Sequence, residues 1–271
     1  MPVDGKQLKQ ALHDGDLVFG TAIYAPSPEW AGRVSQLGID MVFIDTEHTP
    51  RDRGMVSWMC QTYAALDMAP VVRIPEPDPY LAQMMLDGGA HGIIAPYVES
   101  PEQVRILGGA VHFGPVKGAK LQGMIDGQAA EAELEDYLAQ RNARNNLFIN
   151  IESVPAMEAL DDILAVPFID AVLVGPHDLS CSMGIPEHYE HPDFEEAIRT
   201  IISKSRAAGV GVGIHHNFLR QQIRWVKSGA NLVMHSSDVS SFVRMLTSEF
   251  QEIRAAVGAD AERVREQSVN L

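Results

Sequence analysis

Eight short apolar runs of β type, separated by segments with helical period and helix caps, predict a single (β/α)8 barrel. Three observations carry that prediction. The runs are apolar throughout rather than alternating, as strands buried on both faces read. They alternate strictly with helical segments, which implies a parallel sheet, and eight repeats imply that the sheet closes on itself. The chain of 271 residues is 46% hydrophobic, enough for one large core at the size usual for such barrels.

A helix over Lys6–His13 is expected to precede the first strand, Val18–Tyr24. The other strands fall near Asp40–Thr46, Pro70–Ile74, Gly92–Tyr97, Leu147–Glu152, Ile169–Gly175, Gly211–His215 and Leu232–His235. Helix starts mark the connections: Asp78 ahead of Tyr80–Leu86, Ser100-Pro-Glu-Gln ahead of Val104, and Asp193 ahead of Phe194–Ala208, which Gly209 stops. Phe113–Asp126 has three glycines and little periodicity, so a long loop is expected there, either a lid or disordered, with a helix over Ala129–Asn142 after it. Asp238–Val257 reads as a final helix, and the polar stretch 258–271 as the tail of a single domain spanning 1–271.

Composition excludes some functions. A formal charge of -15 opposes sequence-independent nucleic-acid binding, which requires a basic surface, and equally opposes anionic membranes. No run approaches the length of a membrane helix, and the start Met1-Pro-Val-Asp-Gly lacks the basic-then-apolar order of a signal peptide, so a cytoplasmic protein is expected. Cys60 and Cys181 have no ligand-like spacing and read as reduced thiols.

Chemistry in such a barrel gathers where the strands end. Phe148-Ile-Asn-Ile-Glu152 and Val174-Gly-Pro-His-Asp178 each end in a carboxylate, one strand-plus-helix unit apart, which sets Glu152 and Asp178 on neighbouring tips in a geometry suited to a divalent metal. The second strand ends Asp45-Thr-Glu-His48, three ionisable groups that would be costly to bury unless paired or metal-bound. The third directs Arg73 at the same mouth. Gly175 opens a turn whose amides can face an anion. The seventh strand ends His215-His216 and the eighth His235.

The segments Gly38–His48, Val71–Pro75, Met85–Ala90, Phe148–Glu152 and Val174–Ser180, with a weaker echo in Ser236–Phe242, resemble the HpcH/HpaI-type class II aldolases. Members of that family cleave 2-keto-4-hydroxy acids reversibly into pyruvate or a related 2-keto acid and an aldehyde. The resemblance implies a divalent ion (Mg2+, Mn2+ or Co2+, with no organic cofactor) on Glu152 and Asp178, and metal-bound water held by Asp45 and Glu47. It implies His48 as the acid/base oriented by Asp87, Arg73 at the keto oxygen, and the amides around Pro176, His177 and Asp178 at the substrate carboxylate. Asn150 stands where the family often has glutamine beside the metal. A homo-oligomer is implied as well, often a hexamer with exchanged terminal helices, a part Asp238–Val257 could play.

The residues support the same chemistry on separate grounds. Carbon–carbon cleavage needs a base for the 4-hydroxyl proton and an electron sink for the enolate, which a metal beside Arg73 provides. The rival strategy is a Schiff-base lysine, but Lys6, Lys9, Lys117, Lys120, Lys204 and Lys227 all fall away from strand tips. Three readings stay open for His215 and His216, which face opposite sides of a strand: aldehyde binding, a second metal site, or a structural role. The loop Gly114–Lys120 lacks the arginine and aromatic residues expected near the aldehyde. Alternative functions are a citrate-lyase or malyl-CoA-lyase type enzyme, a metal-dependent 2-keto acid decarboxylase, and a non-catalytic keto-acid-binding barrel.

Overall fold

A computed structural model describes residues 3–258. Eight parallel strands close into a barrel in sequence order: β1 (Val18–Ala22), β2 (Met41–Asp45), β3 (Ala69–Arg73), β4 (Gly92–Ala95), β5 (Asn146–Ile151), β6 (Ala171–Val174), β7 (Gly211–His216) and β8 (Leu232–Ser237). All eight strands expected from sequence are present. Closure comes from β1, which pairs with β2 on one side and with β8 on the other, with a register shift between Gly20 and Ala22. The tail 259–271 lies outside the described residues.

Side chains alternate between two apolar layers. One set, including Met41, Phe43, Val71, Phe148, Leu173 and Met234, fills the barrel interior, while the intervening residues Val42, Ile44, Val72, Ile149, Val172 and Val212 pack outward against the helices. This two-residue period decides which strand-end groups face the mouth: Asp45, Arg73, Asn150 and His215 follow interior residues, and His216 follows the outward set.

The helix Gly5–Asp14 plugs the opposite end. It starts at a capping box formed by Asp4 and Gln7 and buries Leu8 and Leu12 completely against the interior layer. Each such burial contributes about 1.5–3 kcal/mol. Gly211 permits the approach, since a Cβ there would stand 2.7 Å from Leu12 Cδ2. Asn146 donates to the Gly5 carbonyl and Asn231 to the Leu12 carbonyl, so the helix is tied to strands as well as packed on them. Asp170 completes the seal, within 3.0 Å of His13 Nε2 and 3.5 Å of Lys9 Nζ.

One expectation is corrected here. The stretch expected as a loop contains the helix Gly118–Ile125, followed by Ala132–Arg141. Close packing holds it: a Cβ on Gly109, in the preceding helix, would meet Ile125 Cδ1 at 2.4 Å, and one on Gly123 would meet Gln128 at 2.5 Å. The final helix runs Asp238–Val257 as expected, with Phe242, Met245, Phe250, Ile253 and Val257 all exposed. No helix among the described residues is long and apolar enough to cross a membrane.

Candidate active site

Two strand ends build an ion-paired wall. Asp45, the last residue of β2, is fully buried and accepts a 2.8 Å hydrogen bond from Arg73 Nε at the end of β3. Its two oxygens also take the backbone N–H groups of Glu47 at 3.1 Å and His48 at 3.3 Å, which folds the Asp45–His48 turn back on itself. Burial alone would raise the Asp45 pKa, but the Arg73 hydrogen bond and charge hold it below the usual carboxylate range. Glu47 Oε2 lies 3.0 Å from Arg73 Nη1. Nη2 of Arg73 has no hydrogen-bond partner among the described residues, so this arm of the clamped guanidinium is available to a ligand.

Opposite stand the two carboxylates. Glu152, just past β5, is almost wholly buried; Oε1 accepts from the Tyr97 N–H and Oε2 from Asn150 Nδ2, both at 2.8 Å. Tyr97 follows β4 at φ 55°, a left-handed conformation that costs a non-glycine residue roughly 1–2 kcal/mol and here turns its N–H onto Glu152. Asp178 sits in the first turn of the helix Pro176–Ser182. Gly175 separates the pair: a Cβ there would come within 2.7 Å of Glu152 Oε2 and 3.4 Å of Asp178 Oδ2. Burial pushes the Glu152 pKa up, and the nearby charges of Asp178 and Glu47 add to the shift.

These residues fit a hard divalent cation. Two oxygen ligands converge on a space only glycine leaves open, Asn150 Oδ1 is buried there without a partner, and an ion would offset the mutual repulsion that disfavours ionisation of Glu152. Among the described residues no third His, Cys, Asp or Glu joins them, which leaves coordination positions for water and substrate.

A cavity of about 740 Å3 joins the two walls. His48, Arg73, Asn150, Gly175, Pro176, His177, Asp178 and His215 all line it, while Asp45, Glu47 and Glu152 are not among its lining residues and touch it through Arg73 and Asn150. Its far side is aromatic, made by Phe43, Tyr189, His216 and Phe218. His177 and Asp178 are exposed on its rim.

The structure does not make the expected contact between Asp87 and His48 within the chain. Asp87 ends the helix Pro79–Asp87, which runs back from the strand tips for about 13 Å at 1.5 Å per residue, and its carboxylate accepts from Gln83 Nε2 at 3.1 Å. The ring of His48 is largely exposed, and its ion-pair neighbour is Glu47, with Nε2 3.8 Å from Oε1. Sequence reasoning also passed over Tyr97, whose phenol is pushed up to about 12 by interaction with Glu47. An aromatic residue in the Pro96-Tyr97 turn carries no pattern that marks this role.

The sequence profile of the HpcH/HpaI aldolase/citrate lyase family matches residues 22–244. The chain belongs to this family. Among HpcH/HpaI relatives, a hydroxypyruvate/pyruvate aldolase of Roseovarius nubinhibens is 34% identical over 215 residues, 79% of this chain and 83% of that one. A 2-keto-3-deoxy-L-rhamnonate aldolase of Escherichia coli (strain K12) is 30% identical over 263 residues, 95% of this chain and 96% of that one. The crystal structure of an HpcH/HpaI aldolase/citrate lyase family protein from Burkholderia cenocepacia J2315 superposes with a TM-score of 0.80 at 30% identity, covering 92% of this chain and 99% of that one.

Proposed function

We propose that this HpcH/HpaI protein is a divalent-metal-dependent aldolase that reversibly cleaves a 2-keto-4-hydroxy acid into pyruvate, or a related 2-keto acid, and an aldehyde. The observation that carries the reading is one cavity lined by Asp178 and by a guanidinium fixed by Asp45 and Glu47, with Glu152 meeting Asp178 at Gly175 and His48 on the wall. The names of two relatives, a hydroxypyruvate/pyruvate aldolase and a 2-keto-3-deoxy-L-rhamnonate aldolase, support it.

Glu152 and Asp178 would hold the ion, with Asn150 and Glu47 placed to orient its water. When bound, that ion supplies Lewis-acid polarisation of the keto group. Arg73 donates from Nη2 to the keto oxygen and stabilises the negative charge that collects there as the enolate forms; its clamp prevents it from following the substrate out. His48 takes the proton of the 4-hydroxyl as the carbon–carbon bond breaks and delivers it to C3 of the enolate, completing the 2-keto acid; in the reverse direction it removes the C3 proton and gives it to the aldehyde oxygen. The first-turn N–H groups at His177 and Asp178, free of intrahelical partners, meet the substrate carboxylate.

The exposed apolar residues on Asp238–Val257 support assembly into a homo-oligomer. Free Cys60 and Cys181 fit a reducing, cytoplasmic location.

The decisive experiment incubates the protein with pyruvate and Mn2+ or Mg2+ in heavy water and follows deuteration of the methyl group by NMR. Metal-dependent exchange that stops with excess chelator is the expected result. Exchange that persists without metal, or none with any divalent ion, refutes the reading.

A further inference from the structure

His215 occupies a place the keto-acid chemistry does not use. It is the interior-facing member of the His215-His216 pair on β7, and it lines the cavity one ring away from Arg73. The Phe43 ring lies between them, 5.3 Å from the Arg73 guanidinium and 5.5 Å, edge to face, from the His215 imidazole. A substrate whose keto oxygen meets Arg73 therefore extends its other half along Phe43 toward His215.

The tautomer of His215 is fixed by geometry. Nε2 lies 3.0 Å from the Ser236 carbonyl, and a carbonyl can only accept, so Nε2 carries the proton and donates. Burial disfavours a second proton on the ring. Nδ1 is left as a lone-pair acceptor on the cavity wall, and it has no hydrogen-bond partner among the described residues.

Charge narrows the ligand further. Arg73 is the only arginine or lysine among the described residues of the cavity wall, and Asp45 and Glu47 already balance it. The ring packed on His215 is Phe43, while Tyr189 and Phe218 pack on His216 farther along the wall. The pKa of His216 is driven down to about 4, first by burial and then by its histidine neighbours, so it also offers no cation near neutrality. A carboxylated aldehyde would find no counter-charge there. An uncharged aldehyde bearing a hydroxyl would find the unpartnered Nδ1 beside the Phe43 ring.

We propose that His215 determines aldehyde specificity, its Nδ1 accepting a hydrogen bond from a hydroxyl of an uncharged hydroxyaldehyde. The assignment rests on the aldolase reading above. Its test compares pyruvate addition to glycolaldehyde and to propionaldehyde, near-isosteres that differ in that hydroxyl, in the Mn2+-loaded enzyme. Wild type should favour glycolaldehyde by roughly tenfold or more in kcat/KM, the discrimination expected when bound substrate covers an acceptor and leaves it unmet. His215→Asn places an oxygen near the Nδ1 position and should keep most of that preference. His215→Gln keeps a donor toward Ser236 but removes the acceptor, and with His215→Leu it should bring the ratio within about threefold of unity, less than one hydrogen bond supplies. An indifferent wild type, or a Gln or Leu variant that discriminates as well as wild type, overturns the proposal. Methyl exchange of pyruvate by wild type separates the two failures: exchange with no discrimination sinks the role of His215 alone, and no exchange sinks the aldolase reading with it.

Discussion

Arg73→Ala tests the ion-paired wall most directly, because its effects on stability and on activity have different origins. Removing the guanidinium deletes the 2.8 Å hydrogen bond to Asp45 and the 3.0 Å contact to Glu47. Asp45 is fully buried, and its remaining partners are two backbone N–H groups and a 3.5 Å contact from Thr49. Stranding one member of a buried ion pair costs about 3–5 kcal/mol. With a urea slope near 3 kcal/mol per M, the unfolding midpoint should fall by more than about 1 M. The sign of the pH dependence should change as well. In wild type the depressed Asp45 pKa contributes stability above its unfolded value and loses it as pH falls through the folded one. Without Arg73, burial raises that pKa, so the penalty exists above the unfolded value, about 3.9, and acid relieves it. Arg73→Ala/Asp45→Asn, which removes the stranded charge, should recover most of the lost midpoint and none of the methyl exchange. Refutation would be an Arg73→Ala midpoint within about 0.3 M of wild type, which corresponds to less than 1 kcal/mol on that slope, or a double variant no more stable than the single one.

Four further outcomes are expected. His48→Ala should slow methyl exchange by about 100-fold or more while pyruvate still binds; a loss confined to pyruvate affinity would make His48 a binding residue. Gly175→Ala brings a methyl within 2.7 Å of Glu152 Oε2 and should weaken Mn2+ binding, read by calorimetry, at least about tenfold; unchanged affinity would remove the ion from this gap. The Asp170–His13 pair should give stability a window: the depressed Asp170 pKa loses its contribution as pH falls below about 4, and the raised His13 pKa loses its own as pH climbs above about 6.5. Asp170→Asn should flatten both edges in denaturation series across pH, and an unaltered profile would refute that account. Phe250→Asp with Ile253→Asp should shift the oligomer toward monomer in size-exclusion chromatography with light scattering; an unchanged mass would move the interface elsewhere.

The strands were legible because burial on both faces leaves only apolar residues between turns. The strand ends put Asp45 and Arg73 at one mouth, and the two-residue period set His215 and His216 on opposite sides; which of the two faces inward came from the structure. Three things were not legible. The Gly118–Ile125 helix was hidden because Gly123 answers to the Gln128 side chain and Gly109 of the preceding helix to Ile125, a tertiary demand that local propensity does not record. Asp87 lies in a segment that resembles the family pattern, but a motif says nothing of how far a helix carries its last residue from the strand tip. Tyr97 acts through a strained backbone N–H, and backbone donors have no letter in a sequence.

The seam between β1 and β8 has a consequence for how the chain is made. Asp238 latches it, its carboxylate taking the N–H groups of Tyr24 and Ala25 at 2.9 Å across separations of 214 and 213 residues. At 5–20 residues per second, roughly 10–40 s of synthesis separate the end of β1 from its latch. Throughout that interval β1 can pair only with β2, and its other edge offers a row of open backbone groups to any passing strand. The nascent barrel is thus most exposed to misassociation along the strand it makes first, and the danger ends only when nearly the whole described chain has left the ribosome.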